Sequence, residues 1–313
     1  MSQATGGLRG GAPPIGSWTT RTGWARRLHE LSALTKPRIA LMVLITTSIG
    51  FAMGMGLRTE GAGFPWVPLL AALAGAGLSC MGAAALNQWW ERDTDGMMQR
   101  TRDRPLPAGR VAPGEALAVG LALSATGVGA LSAVGLWLAA GLTAATVFAY
   151  VAVYTPLKRV TPLALWIGAV PGAAPPLIGF AAAAETLNPL AWCVFALMFI
   201  WQAPHFLAIA WLYRDDYARA GLKMLPVVEP DGRRTFGQIL LTSIALLPLG
   251  MAPTWLGYAG WLSFIVCTLA GSWLLVEAIR LVFVPSRPQA KRLFLTTLAY
   301  LPIVLAIVSI DRL

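Results

Sequence analysis

Nine apolar segments, each long enough to cross a lipid bilayer as a helix, most constrain how this chain can fold. They comprise residues 38–57, 67–88, 114–134, 137–157, 161–181, 189–212, 237–256, 258–283 and 293–310. A spanning helix needs about 20 predominantly apolar residues. Only 12% of the residues are charged, whereas a soluble domain carries about 25%, so a soluble fold is excluded. The sequence predicts an all-α membrane protein with nine transmembrane helices.

The basic residues are distributed unevenly between the two membrane faces that nine spans define. All but two of the 24 lysines and arginines lie before the first span, or in and beside the connections that follow even-numbered spans. The two exceptions are Arg58 and Arg312. Because cytoplasmic loops are enriched in lysine and arginine, we expect the N-terminus in the cytoplasm and the C-terminus outside.

The segment before the first span is expected to form a basic tail. Residues 1–35 are polar and glycine-rich and lack the apolar core of a signal peptide. We interpret them as a largely disordered cytoplasmic tail with a short interfacial helix, followed by a transmembrane domain at 36–313. The arginines between Arg21 and Arg27 also fit a mitochondrial transit peptide weakly. We expect the bacterial cytoplasmic membrane, with the mitochondrial inner membrane as the alternative location.

The first long polar loop begins with a stripe of oxygen-bearing side chains. Asn87, Glu91 and Asp95 follow one another at intervals of four residues. If the second span continues as a helix, they lie within roughly 80° on one face, whereas Asp93 points elsewhere and is expected to pair with a basic side chain. An all-oxygen ligand set suits Mg²⁺. The alternative is a solvated helix end whose acids pair with arginines.

Three arginines follow the carboxylate stripe within five residues. Arg100, Arg102 and Arg104 are expected to bind a multiply charged anion, since guanidinium groups bind phosphate oxygens through paired hydrogen bonds. The alternative is that they only determine topology.

The second long loop, after the sixth span, repeats this arrangement of acids followed by basic residues. It contains Asp215 and Asp216, then Arg219 and Lys223. Two such clusters on one face can hold Mg²⁺ ions that bridge one diphosphate. A diphosphate head bound at a membrane face suggests a prenyl diphosphate as the substrate. A second solvated helix end is the alternative.

His205 is the only histidine inside a predicted span. It lies in the run Trp201, Gln202, Ala203, Pro204, His205, Phe206, and an ionisable group within a membrane indicates function. We expect it at the site of the second substrate. An imidazole can orient a porphyrin propionate, bind haem iron or transfer a proton, and the residues leave these roles open.

These residues resemble the UbiA superfamily of intramembrane prenyltransferases, and the resemblance runs from Lys36 onward. The stripe of Asn87, Glu91 and Asp95 is similar to the family's first aspartate motif, and Asp215 with Asp216 to its second. Residues 100–107 and 154–159 are similar to two further family segments. Tyr217 stands where a further aspartate is common, which weakens the match of the second motif.

Other segments resemble the protohaem IX farnesyltransferase subfamily, whose members make haem O. These are Leu34 to Arg38, Pro171 to Gly179, Trp201 to Phe206 and Asp216 to Pro226. The resemblance implies a UbiA-type helical bundle, Mg²⁺ as cofactor, and farnesyl diphosphate and haem B as substrates. It implies catalytic roles for Asn87, Glu91, Asp95, Asp215, Asp216 and His205, diphosphate binding by Lys36, Arg38, Arg100, Arg102, Arg104, Lys158 and Lys223, and haem contacts of Trp201, Gln202 and His205.

The resemblance has further implications and leaves rival functions to be weighed. It implies haem A synthase or terminal oxidase assembly as partners besides the lipid bilayer, and no nucleic acid. The prolines between residues 171 and 176 are expected to unwind or kink the fifth span. The alternatives are a prenyltransferase acting on a quinone precursor, a polytopic transporter, and a non-catalytic haem-binding subunit.

Overall fold

Nine long apolar helices dominate the part of the chain that the structure describes. The structure is a computed structural model describing residues 23–57 and 63–312. Within those ranges the predicted number of spanning helices is confirmed. They are α2 (Pro37–Met55), α3 (Trp66–Met97), α4 (Pro113–Ala133), the span Trp137–Leu157, α7 (Ala164–Ala184), α8 (Pro189–Leu212), α11 (Arg233–Trp255), α12 (Trp261–Phe283) and α13 (Arg287–Ile310).

The fourth span is not a uniform α-helix. It begins as α5 (Trp137–Phe148), continues as a π-helical segment (Ala149–Tyr154) and ends with α6 (Thr155–Leu157). π-Helical turns are rare and occur frequently at functional sites. Two short helices, α9 (Arg214–Arg219) and α10 (Leu225–Val228), lie in the connection between α8 and α11.

Part of the segment expected as a tail is helical and packed. Helix α1 (Gly23–Thr35) precedes the first span, with Leu34 fully buried and Glu30 nearly so. Arg110 Nε donates to Glu30 Oε1 at 2.9 Å, which ties α1 to the connection after α3. Gly23–Thr35 is thus a packed helix, and the disordered tail stays a prediction because residues 1–22 lie outside the described residues.

Helix α7 lies between the two main clusters of buried apolar side chains. Ala173, Leu177 and Phe180 pack into a cluster formed with α8, α11, α12 and α13. The neighbouring positions Ala174 and Ile178 pack into a cluster formed with α2, α3 and α5. Because residues four apart share a helix face and neighbouring positions are turned by about 100°, the two sets lie on different faces of α7, which joins the two parts of the bundle.

Small residues allow α2 and α7 to pack backbone against backbone. A Cβ atom at Gly50 would lie 2.0 Å from the Pro176 carbonyl oxygen, and one at Gly179 would lie 2.0 Å from the Thr47 carbonyl oxygen. Close approach at small residues is typical of helix pairs in membranes. Helix α7 stays continuous across its prolines at 171, 175 and 176. Of the two expected outcomes, unwinding is therefore wrong and a kink stays a prediction, while the segment packs closely against α2.

The segment after α13 contacts two other helices at the bundle end where α2 finishes. Asp311 Oδ2 accepts from the Ser263 backbone N–H at 2.6 Å, at the start of α12. Arg312 Nη1 donates to the Ala52 carbonyl oxygen at 2.7 Å, near the end of α2. The expected orientation, with this end outside the cell, stays a prediction.

Candidate active site

A cavity with a volume of about 510 Å³ lies where the two expected polar loops meet. One part of its wall carries carboxylates and cations, chiefly Glu91, Asp95, Lys36 and Lys158. The rest is lined mainly by apolar and aromatic side chains, which are Ile39, Met98, Tyr150, Tyr154, Pro162, Leu163, Leu165, Trp166, Phe206, Leu207, Ile209, Ala210, Tyr217, Leu222, Met224 and Leu225. The cavity can therefore hold a ligand with a charged head and an apolar tail.

The predicted stripe of oxygen-bearing side chains is present on the cavity wall. Helix α3 continues to Met97, so Asn87, Glu91 and Asp95 share one face, and all three line the cavity. They are buried at 2%, 7% and 0% exposure. Asp93, in contrast, is exposed, and its Oδ1 lies 3.9 Å from Arg92 Nε, in agreement with the expected ion pair. The alternative of a solvated helix end does not describe these three buried residues.

Each carboxylate of the stripe is held by one cation from another part of the chain. Lys158 Nζ lies 2.8 Å from Glu91 Oε1, and Arg104 Nη1 lies 2.7 Å from Asp95 Oδ2. Burial alone would lower the pKa of Lys158, but Tyr154 and Glu91 beside it outweigh burial and raise the pKa above its usual range. Lys158 is therefore charged, and both cations are fixed at the cavity wall, where they can attract an anion.

The π-helical segment orients Asn87 and adds two aromatic rings to the cavity. Asn87 Nδ2 donates to Thr155 Oγ1 at 3.1 Å, and Thr155 Oγ1 donates to the Tyr150 carbonyl oxygen at 2.8 Å. Since its amide nitrogen is engaged, Asn87 keeps its amide oxygen for another partner. Tyr150 and Tyr154 lie 5.3 Å apart by ring centroid, and Lys158 Nζ lies 4.4 Å from the Tyr154 ring.

The loop after α3 folds back over the carboxylate stripe. Thr101 Oγ1 donates to the Asp95 carbonyl oxygen at 2.8 Å, which anchors the loop. Arg100 lines the cavity and contacts the second polar loop, with its guanidinium 5.2 Å from the Tyr213 ring and its Nη2 3.4 Å from the Tyr217 hydroxyl. Arg102 is exposed and does not line this cavity.

Lys36 reaches the cavity from the junction of α1 and α2. It adopts a left-handed backbone conformation at φ 50° and ψ 61°. Gln88 Nε2 holds this junction by donating to the carbonyl oxygens of Ala33 and Leu34, at 3.1 and 2.7 Å. Burial, together with Arg104 and Lys158, lowers the pKa of Lys36 to about 8. Arg38, two residues further on, is exposed and lies outside the cavity wall.

The second acidic loop is placed differently from the first. Asp215 is 61% exposed and lies 2.7 Å from Arg287 Nη2, while Asp216 pairs with Arg219. Neither aspartate lines the cavity, whereas Tyr217 of the same helix does. Lys223 contributes a backbone N–H, which donates to the Lys158 carbonyl oxygen at 3.0 Å. A metal-binding role for these two aspartates stays a prediction that the observed pairing does not support.

The predicted haem-contact residues lie on α8 beside the cavity rather than in its wall. His205 is 8% exposed and its Nδ1 lies 2.8 Å from Thr297 Oγ1 of α13. The Trp201 ring stacks on the His205 ring with centroids 4.7 Å apart. Gln202 is buried and its amide donates to the carbonyl oxygens of Ala169 and Met198. Gln202 therefore fixes α8 against α7 and has no amide hydrogen left for a ligand.

Several residues that line the cavity were not predicted as site residues. Tyr150, Tyr154 and Trp166 line the cavity, as do Arg234 and Gln238 at the start of α11. The tyrosines precede Lys158 by eight and four residues, a spacing that would place them near its side of a helix. Nothing in the sequence places α11 beside this cavity, since that depends on how helices remote in sequence pack.

The cavity wall fits a hard divalent cation. Asp95 Oδ1 is sealed from solvent and has no hydrogen-bond partner among the described residues. Such an orphaned carboxylate oxygen is costly, and together with the oxygens of Asn87 and Glu91 it provides the ligand type that Mg²⁺ prefers. Across residues 23–57 and 63–312, no group of three His, Cys, Asp or Glu forms a metal site by itself. A metal ion at this wall would therefore need further oxygen ligands from a bound substrate.

Known proteins of similar sequence match nearly the whole chain. The "Protoheme IX farnesyltransferase" of Solibacter usitatus is 44% identical over 289 residues, covering 91% of this chain and 99% of the relative. The protein of the same name from Koribacter versatilis is 40% identical, covering 93% and 96%.

Solved structures with low sequence identity have the same fold. A digeranylgeranylglyceryl phosphate synthase matches with a TM-score of 0.73 at 15% identity, covering 91% of this chain and 98% of that chain. A UbiA homologue from Archaeoglobus fulgidus, solved with GPP and Mg²⁺, matches with a TM-score of 0.62 at 17% identity, covering 90% and 100%. The model of the UbiA prenyltransferase family matches residues 43–301. The chain therefore belongs to the UbiA prenyltransferase family.

Proposed function

We propose that this protein transfers the farnesyl group of farnesyl diphosphate to a vinyl group of haem B, with addition of water, and so makes haem O. The observation that carries the proposal is the cavity, in which buried carboxylates and cations adjoin an apolar wall. Relatives named for this activity share 40–44% of their residues over nearly the whole chain. An isoprenoid diphosphate has the matching chemistry of a charged head and an apolar tail.

Cationic side chains bind and stabilise the diphosphate as it leaves. Lys36 approaches from the start of α2, Arg104 from the loop after α3 and Lys158 from the end of the fourth span. Fixed charges that face a developing negative charge are usually the largest catalytic contribution. Glu91 and Asp95 hold Lys158 and Arg104 in place before the substrate arrives.

We propose that Asn87, Glu91 and Asp95 hold Mg²⁺ together with the substrate's diphosphate. When bound, the metal neutralises phosphoryl charge and so makes diphosphate a better leaving group. The rings of Tyr150 and Tyr154 are placed to face an allylic cation, which aromatic faces attract. Trp166 and Phe206 on the apolar wall exclude water that would otherwise capture this cation.

The reaction is balanced without a redox partner. The bond between farnesyl C1 and diphosphate oxygen breaks, and the electron pair leaves with diphosphate. The terminal carbon of the haem vinyl group then bonds to farnesyl C1, which leaves positive charge on the carbon next to the porphyrin ring. Water adds to that carbon and loses a proton, giving a hydroxyethylfarnesyl group.

Product formation tests this function directly. Purified protein is incubated with haem B, farnesyl diphosphate and Mg²⁺, and haem O is measured by mass spectrometry. We expect a product whose mass equals haem B plus the farnesyl group and the hydroxyl. A control with a quinone precursor in place of haem B is expected to yield no prenylated product. Absence of haem O from active, folded preparations would exclude the proposal.

The pH dependence of turnover should report the charge on Lys36. The pKa of Lys36 in the substrate-free protein is about 8, so the lysine is protonated at lower pH and loses its charge as the pH rises through this value. Because kcat/KM reflects groups of the free enzyme, we expect kcat/KM for farnesyl diphosphate to fall above about pH 8. In Lys36→Arg the cation stays charged at higher pH, and the decline should move upward. The same decline in both proteins would contradict this assignment.

We further propose that the protein lies in a bacterial cytoplasmic membrane. The nine long apolar helices of the described residues make it a multi-pass membrane protein, and the two sequence relatives reported above come from Solibacter usitatus and Koribacter versatilis. Haem O made there would pass to haem A synthase or to terminal oxidase assembly in the same membrane. The proposed transfer of haem O is tested by purifying the protein from native membranes and asking whether haem A synthase or oxidase subunits co-purify with it.

A further inference from the structure

Thr297 on α13 forms two contacts that together determine which ring nitrogen of His205 carries the hydrogen. Its hydroxyl oxygen lies 2.8 Å from His205 Nδ1 and 2.6 Å from the Phe294 carbonyl oxygen one turn earlier in α13. Thr297 is fully buried. Its backbone carbonyl oxygen also accepts from Trp201 Nε1 at 2.8 Å. One residue of α13 thus positions both aromatic residues of the α8 segment.

The hydroxyl of Thr297 has one proton, and its geometry directs that proton to Phe294. A carbonyl oxygen only accepts, so at 2.6 Å the proton must come from Thr297 Oγ1. The contact with His205 then requires Nδ1 to carry the hydrogen and donate it. In a neutral imidazole the other nitrogen, Nε2, has the free lone pair.

His205 Nε2 is free to meet a ligand. It has no hydrogen-bond partner in the part of the chain that the structure describes, yet it is not one of the polar atoms sealed from solvent there. Three aromatic rings surround the imidazole, with centroid distances of 4.7 Å to Trp201, 5.2 Å to Phe206 and 5.0 Å to Phe294. Phe206 is 41% exposed and also lines the cavity. A flat aromatic macrocycle suits these surroundings.

We propose that Thr297 is a positioning residue that fixes His205 as the Nδ1–H tautomer, so that Nε2 binds the iron of the porphyrin substrate. This rests on the proposed function, because it takes haem as the acceptor. A histidine that binds a metal commonly donates its other ring N–H to a protein oxygen, which orients the ring and strengthens it as a ligand. The Thr297 hydroxyl supplies that oxygen. Propionate binding would need an N–H at Nε2, which this tautomer lacks, whereas proton transfer would use the same lone pair and is distinguished from iron binding by the haem spectrum.

Haem titration of four purified variants tests the proposal. Ferric haem B is added to the wild-type protein, Thr297→Val, Thr297→Ser and Thr296→Val, and the absorption spectrum and dissociation constant are measured. Thr296 is the matched control, because it is a buried threonine next in sequence on the same helix, whereas the hydrogen-bond partner of His205 Nδ1 is Thr297. His205→Gly, with and without added imidazole, completes the set.

The expected pattern separates positioning from structural damage. The wild-type protein, Thr297→Ser and Thr296→Val should show an imidazole-bound haem spectrum, whereas Thr297→Val should bind haem about 10-fold more weakly, as loss of such an outer hydrogen bond usually does. His205→Gly should lose the spectrum and regain it with imidazole. An unchanged spectrum in His205→Gly, or unchanged affinity in Thr297→Val, would overturn the proposal. If wild-type protein makes haem O without an imidazole-bound spectrum, only this inference fails, whereas absence of haem O from wild-type protein removes the proposed function.

Discussion

Asp95→Asn is expected to reduce kcat by about 10²–10³-fold, the size of effect seen when one fixed electrostatic group is removed from an active site. Asp95 is fully buried, its Oδ2 lies 2.7 Å from Arg104 and its Oδ1 has no partner among the described residues. The amide keeps the shape but removes the charge that holds Arg104 and that we propose to bind a metal. Single-turnover formation of haem O measures the effect, and haem binding should persist because His205 lies on another helix.

The neighbouring Asp93 provides a matched control for this substitution. Its side chain is 76% exposed and lies 3.9 Å from Arg92 Nε, and it does not share the helix face of Asn87, Glu91 and Asp95. Asp93→Asn removes the same charge from the same helix and should leave kcat within about twofold, since surface ion pairs contribute little. Equal losses in the two variants would mean that overall charge near this helix, rather than the buried carboxylate, governs turnover.

Lys158→Met is expected to impair both activity and stability. The side chain of Lys158 is 11% exposed, and its ammonium group forms an ion pair at 2.8 Å with Glu91, whose side chain is 10% exposed. Removing one partner of a buried pair leaves the other charge without compensation and costs about 3 kcal/mol or more. It also removes a cation from the proposed diphosphate site, and kcat/KM should fall about 100-fold. Haem O formation and thermal unfolding in detergent micelles measure the two effects.

A double variant separates the two roles of Lys158. In Glu91→Gln with Lys158→Met no unpaired charge remains, so much of the lost stability should return. Activity should stay low, because neither the cation nor the carboxylate is present. Arg159→Met, which removes a basic residue next in sequence but exposed, is the control and should behave like the wild type. Recovery of activity in the double variant would show that Lys158 matters only as a partner of Glu91.

Patterns that depend on a single helix could be predicted from the sequence. The number of spans follows from length and apolarity, and their observed limits differ from the expected ones mainly where polar ends extend the helices, as at α3 and α13. The shared face of Asn87, Glu91 and Asp95 follows from helical spacing alone. Both are properties of local sequence, and the structure confirms both.

Features that depend on packing between distant segments could not be predicted in this way. The pairing of Lys158 with Glu91 joins residues 67 positions apart, and no local pattern specifies it. The pairing of Asp215 with Arg287 likewise depends on where α13 begins relative to α9. The segment from Pro171 to Pro176 was expected to unwind, yet it is part of a continuous helix. A glycine on the neighbouring helix, Gly50, allows the backbone at Pro176 to approach closely, and the sequence of α7 alone does not indicate this contact.

The contacts of Asp311 and Arg312 have a consequence for how the protein is made. Arg312 donates to Ala52 of α2, so the first spanning helix and the segment after the ninth stabilise each other across 260 positions. During synthesis α2 enters the membrane long before its partner has been translated. The Ala52 and Met53 carbonyl groups must then be satisfied by water or lipid headgroups in the interim. We expect the bundle to reach its final stability only after the ninth helix inserts, which makes the late nascent chain the stage most exposed to membrane proteases.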